Sequence, residues 1–158
     1  MKVLGIDPGT GILGFGVVNF TTGKQPRMVT AGVIKTPAHT PLHERLIEIY
    51  DGLKEIIAET EPDAASIEKL FFAQNITTAM SVSHARGVAM LVAAQAGLPI
   101  FEYTPLQIKQ TLTGYGRADK KQIQEMVKLH LGLKTVPKPD DAADALATAI
   151  THNLMTRV

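Results

Sequence analysis

The chain has 158 residues, 45% of them hydrophobic, and 16 Lys and Arg against 15 Asp and Glu for a net charge of +1. That is the composition of a globular protein with enough apolar material for a core, and one domain over residues 1–158 is expected. With no cysteine, a disulfide framework and a thiolate metal site are excluded, leaving carboxylate and histidine as ligand types. Neither the short apolar run before Asp7 nor the Gln95-interrupted run from Val88 to Leu98 suits a signal peptide or a membrane span, so a cytoplasmic protein is expected.

Val3 to Val18 reads VLGIDPGTGILGFGVV, two apolar runs joined by a Pro8-Gly9 and Gly11 break. This predicts a hairpin whose first strand lies in the middle of a sheet covered on both faces. An unpaired charge is costly there, so Asp7 needs a reason. Two readings stand at this point: an Asp that caps the turn amides around Gly9 and Thr10, or a metal-binding or catalytic carboxylate at a strand end. Arg27 to Ile34 reads as a third strand, completing an antiparallel meander over residues 2–34, and Pro37 and Pro41 end it. From Pro41 to about Thr60, Leu42, Leu46, Ile49, Leu53 and Ile56 recur at helical spacing on an amphipathic helix.

A turn at Pro62-Asp63 leads into a strand from Ala64 to Leu70 whose interior acid is Glu68. Phe71 to Asn75 is a loop, and Ile76 to Ala96 a long helix closed by Gly97. From Val88 to Ala94 that helix is apolar all round, which predicts cover on two sides, the second by another copy of the chain. Pro99 to Tyr103 is a fifth strand, and Thr104-Pro105 starts a helix that runs to Thr113. Gly114-Tyr115-Gly116 breaks it, Asp119 begins another to about Leu131 with Gly132 behind it, and a last, alanine-rich helix runs from Asp140 through Met155.

Charge is unevenly spread. Tyr103 to Lys138 carries seven bases (Lys109, Arg117, Lys120, Lys121, Lys128, Lys134, Lys138) against Asp119 and Glu125, a net +5 that leaves −4 on the remainder. This is either an ordinary solvated face or a surface that holds a polyanion. Asp141 and Asp144, three apart on the alanine-rich helix, project from one face. Asp140 is explained by the helix dipole, Asp144 less well because it lies deeper among small apolar neighbours. With Asp7 and Glu68, four acids sit against apolar surroundings on three separate elements. Gathered together they would repel unless cations shared the site, which predicts hard divalent ions, magnesium first. A pair of such ions suits phosphoryl displacement, with the basic segment holding the phosphodiester.

Four strings, LGIDPGT (Leu4 to Thr10), IEKLFFAQN (Ile67 to Asn75), FEYTPLQIKQTLTGYGRADKKQ (Phe101 to Gln122) and DAADALATAITH (Asp141 to His152), closely resemble the RuvC family of bacterial Holliday junction resolvases, in order and over essentially the whole chain. The resemblance implies an α/β fold of ribonuclease-H type, a five-stranded mixed sheet flanked by helices. It also implies a homodimer and paired, magnesium-dependent nicking of four-way DNA junctions with two ions per site, manganese being a possible substitute. The RuvA–RuvB branch-migration complex is implied as a partner. Carried onto this chain, the catalytic and metal-binding roles fall on Asp7, Glu68, Asp141 and Asp144, with Asp140 extra and able to shift in as an alternative ligand. A junction-contacting role falls on Phe71, where periodicity does not choose between Phe71 and Phe72. Gln74 and Asn75 in the same loop, and Lys109, Arg117, Lys120 and Lys121 on the basic segment, complete the expected DNA contacts. Two other readings compete: a half of an actin-like or sugar-kinase ATPase, which needs a second such domain, and a non-catalytic junction-binding module.

Overall fold

The computed structural model describes residues 1–69 and 76–157. Three strands form the meander, β1 (Lys2–Asp7), β2 (Ile12–Asn19) and β3 (Arg27–Lys35). Helix α1 (Leu42–Thr60) precedes β4 (Ala64–Glu68), and α2 (Ile76–Gln95) precedes β5 (Ile100–Tyr103). Helices α3 (Pro105–Thr113), α4 (Lys120–Leu131) and α5 (Asp140–Thr156) complete the chain. The sheet order is β3-β2-β1-β4-β5, with β1–β2 and β2–β3 antiparallel and β1–β4 and β4–β5 parallel. The nearly all-apolar first strand therefore occupies the centre. The fourth strand ends at Glu68, short of the expected Leu70, although the Lys69 amide still donates to the Tyr103 carbonyl at 2.8 Å.

Strand alternation sends β1 side chains to two cores. Val3 joins Tyr103, Ile108, Val127, Leu146 and Ile150 on the face covered by α3, α4 and α5. Leu4 and Ile6 join Ile49, Leu53, Ile67, Ala89 and Val92 on the face covered by α1 and α2. Helix α5 is the most deeply embedded element, with every residue from Ala142 to Asn153 buried except Asp144. Its alanines and the glycines of the facing strands together allow that closeness. A Cβ at Gly5 would overlap the Ala145 carbonyl, one at Gly14 the Asp141 carbonyl, and one at Gly16 would lie 2.7 Å from the Leu146 side chain. Only glycine permits that approach.

The helix starts and stops follow local chemistry. Thr104 and Asp119 each close a reciprocal capping box, with Gln107 and Gln122 respectively, and Gly114 and Gly132 end α3 and α4 in the left-handed conformation. Along α2, Ala85, Ala89, Val92 and Ala93 are buried, but Ile76, Met80 and Leu91 are 76%, 59% and 51% exposed. Among the described residues of one chain the helix is thus covered on one side, and the side expected to meet another copy is exposed.

Candidate active site

Three features of register assemble the site. Asp7 ends the central strand opposite Gly14 of β2. Gly14 in turn lies against the Asp141 backbone of α5, so the missing side chain at 14 sets the first turn of α5 beside Asp7. On the other side β4 runs parallel to β1 with Ile6 beside Ile67, and one residue further along stand Asp7 and Glu68. The result is that carboxylate oxygens of Asp7, Asp141 and Asp144 all lie within 4.8 Å of one another, and Glu68 is hydrogen-bonded to Asp7.

The electrostatics fit a cluster of buried like charges. Burial, followed by the charges of Glu68 and Asp144, pushes the Asp7 carboxyl from 3.8 up to about 9. Burial also raises Glu68, against the lowering effect of its hydrogen bond with Asp7. Asp144 is raised by burial as well, partly countered by Lys120. The Lys120 ammonium lies 3.3 Å from Asp140 Oδ2 and 3.7 Å from Asp144 Oδ2. Burial works to lower its pKa, but the attraction of Asp144, Asp140 and Asp141 outweighs that and holds it above its ordinary value. Every ligand atom in the cluster is a carboxylate oxygen, the donor type preferred by hard divalent cations. Asp7, Glu68 and Asp144 are all raised by burial and by the charge of neighbouring acids, which Lys120 offsets only in part, so the donor set fits such an ion.

Above the acids opens a cleft of about 290 Å³ lined by Glu68, Asp144, Lys109, Lys120 and the walls of α3 and α4. Of the expected DNA contacts, Lys109 and Lys120 therefore border the carboxylates. Arg117 is exposed in the turn between α3 and α4, and Lys121 lies on a separate groove with Thr113 and Tyr115. Phe71, Gln74 and Asn75 fall outside the described residues. Asp140 stands apart from the three-acid group, half-exposed, with Gln124 donating to it at 3.0 Å and Lys120 beside it. Sequence reasoning missed the role of Gly5, Gly14 and Gly16. Their alternation on one face of two neighbouring strands was the available signal for a helix pressed against the backbone. It also missed the ion pairs of Lys120, which no local pattern encodes because α4 and α5 meet only in the fold.

A five-stranded mixed sheet of ribonuclease-H type, with acids gathered at the carboxyl end of its central strand and lysines along the cleft, defines a nuclease of the carboxylate-cluster class. Residues 3–152 match the family model described as crossover junction endodeoxyribonuclease RuvC, and the chain belongs to the RuvC family. It is 55% identical over 152 residues to the crossover junction endodeoxyribonuclease RuvC of Chloroflexus aurantiacus, covering 96% of this chain and 92% of that one. Its counterpart in Brevibacillus brevis is 56% identical, with coverage of 96% and 91%. Among solved structures, T. thermophilus RuvC in complex with a Holliday junction substrate superposes with a TM-score of 0.94 at 39% identity, covering 99% of this chain and 95% of that one. The yeast mitochondrial Holliday junction resolvase Ydc2 shares the fold, with a TM-score of 0.63 at 13% identity over 94% of this chain and 77% of that one. The non-catalytic and ATPase readings find no support in this placement.

Proposed function

We propose that this chain is an endonuclease that resolves four-way DNA junctions by paired nicking of two strands. The observation that carries the reading is the convergence of Asp7, Asp141 and Asp144 within 4.8 Å, with Glu68 bonded to Asp7, in a member of a junction-resolving family. Asp7, Glu68, Asp141 and Asp144 would hold divalent ions, magnesium in the cell and two per site, with manganese able to replace it. Such ions, when bound, supply an activated water and neutralise charge on the phosphoryl oxygens. The protein's own contribution is positional. Asp7 and Glu68 are fixed by the parallel β1–β4 ladder, and Asp141 and Asp144 by a helix that cannot move without displacing Gly5, Gly14 and Gly16. Lys109 and Lys120, on the cleft wall, offer ammonium groups to the phosphate being cut, and Arg117 and Lys121 extend that contact along the strand.

Two identical strands must be cut, which a two-fold dimer serves directly, and the exposed Ile76, Met80 and Leu91 on α2 support a second copy packing there. Phe71 is proposed to stack on a base at the junction centre, beside Gln74 and Asn75, and the RuvA–RuvB complex to deliver the junction. Residues 1–158 would act as one nuclease domain. Among the described residues no helix is long and apolar enough to cross a membrane. The test is cleavage of a synthetic four-way junction beside a linear duplex, with and without Mg²⁺. Metal-dependent nicks in two symmetry-related strands of the junction are expected, and the duplex should stay intact. Junction binding without any nicking, in any divalent ion, would leave only a binding module. Phe71→Ala should slow cleavage of an intact junction more than of one with unpaired central bases.

A further inference from the structure

The turn that follows Asp7 is fastened by a relay of hydrogen bonds that none of the roles above uses. The Thr10 hydroxyl donates to the Ser81 carbonyl of α2, and the Thr36 amide donates to the Gly11 carbonyl at 3.0 Å. The Thr36 hydroxyl donates to the Thr10 carbonyl at 2.6 Å and accepts from Arg45 Nε at 2.8 Å. Thr10 and Thr36 are buried, at 3% and 8% exposure, so the relay is part of the folded framework. One guanidinium nitrogen, Nη2, rests over Gly11: a Cβ there would stand 3.2 Å from it. The guanidinium is thus fixed by one edge while its terminal nitrogens remain. Arg45 pairs with no carboxylate among the described residues. A half-buried arginine held in one orientation without a counter-ion is built to receive an anion, and its fork matches phosphate oxygens.

Position names the anion. The carboxyl ends of β1 and β3 and the start of β2 share one rim of the sheet, since Asp7 ends β1 and Ile12 pairs with Lys35. Arg45, in the first turns of α1, reaches that rim from the face that buries Leu4 and Ile6, whereas Asp7 faces α5. Lys35, His39 and His43, near Arg45 along the chain, are exposed, as are the acids Glu44 and Glu48 on its own helix. We propose that Arg45 binds a backbone phosphate of the DNA, one displaced from the phosphate at the carboxylates, so that the polynucleotide is gripped on both sides of the Asp7 turn. This rests on the junction-nuclease reading above and extends it to the flank opposite Lys109 and Lys120. Because the same relay fixes the turn carrying Asp7, the grip is registered to the site.

The test measures four-way junction affinity across a salt series in EDTA, for the wild type, Arg45→Ala, Arg45→Gln and Arg45→Lys, with thermal melts of each. One lost phosphate contact should shrink the slope of log K against log salt by about 0.9. Arg45→Ala and Arg45→Gln are expected to show that loss, and Arg45→Lys to keep the wild-type slope. Glutamine retains a donor for Thr36 without charge, so it decides the matter even where alanine disturbs the fold. An unchanged slope in Arg45→Gln overturns the inference. A wild type that fails to prefer the junction over linear duplex overturns the junction reading instead, and the two failures are read from different proteins.

Discussion

At the scale of single residues, Asp7 shows how strongly the surroundings set the chemistry. Its carboxyl is pushed to about 9 by burial and by Glu68 and Asp144. A folded-state pKa above the unfolded value of 3.8 contributes stability that is full below 3.8 and is lost as pH rises through about 9. The raised values of Glu68 and Asp144 act with the same sign. Metal-free protein should therefore melt at a lower temperature as pH climbs from about 5 to about 9, in calorimetry with EDTA. Mg²⁺ or Mn²⁺ should restore the loss, because binding releases the proton. The same reasoning gives a second outcome. Asp7→Asn removes a carboxyl whose ionisation burial and its acidic neighbours oppose, and should raise the melting temperature of the metal-free protein at neutral pH. Asp7→Asn, Glu68→Gln, Asp141→Asn and Asp144→Asn should each cut the cleavage rate by more than about 10²-fold, with junction binding preserved, since affinity comes from cations. Asp140→Asn, whose side chain is engaged by Gln124 and Lys120 away from the cluster, should be mild. Single-turnover rates and anisotropy separate the two effects.

Among the elements, α5 decides the most. Two of its acids enter the site, and its depth in the fold depends on side chains that are absent from β1 and β2. Gly14→Ala would drive a methyl group into the Asp141 carbonyl, where backbone rather than a flexible side chain must yield. Overpacking of this kind costs about 1–3 kcal/mol, and displacement of the first turn of α5 should also remove cleavage. Helix α4 responds differently. Asp119→Ala loses the cap on the Gln122 amide, a cost of about 1 kcal/mol. It should also loosen Lys120, the next residue, from Asp140 and Asp144, so the binding slope should fall while folding persists. Denaturant melts of both variants, compared with their cleavage rates, check the contrast: Gly14→Ala fails in both, Asp119→Ala in neither completely.

For the whole molecule, the exposed face of α2 carries the dimer proposal. Ile76, Met80 and Leu91 present an apolar stripe outward, and a junction has two equivalent strands to cut. Sedimentation at micromolar concentration should give twice the chain mass of 17.0 kDa. Leu91→Glu should return the protein to a single chain and reduce paired nicking to single nicks. A fully active wild-type monomer would end the dimer proposal.

Much of the architecture was legible in the sequence because its signals are local. Apolar runs broken by Pro8-Gly9 and Gly11 marked the hairpin that opens the meander, Thr104 and Asp119 marked helix starts, and Gly114 and Gly132 marked their ends. Lone acids in apolar runs singled out Asp7 and Glu68, since an uncompensated carboxylate in a central strand is costly wherever the strand goes. What the sequence could not determine was distance. That Asp141 meets Asp7 follows from the Asp7–Gly14 register and from a helix pressed on glycine. That Lys120 reaches Asp140 and Asp144, and Arg45 reaches Thr36, follows from elements packed across the fold. The physical reason is range: caps, turns and periodicity are settled among near neighbours along the chain, whereas the field at a buried carboxylate sums charges from four elements that only tertiary packing brings within a few ångströms.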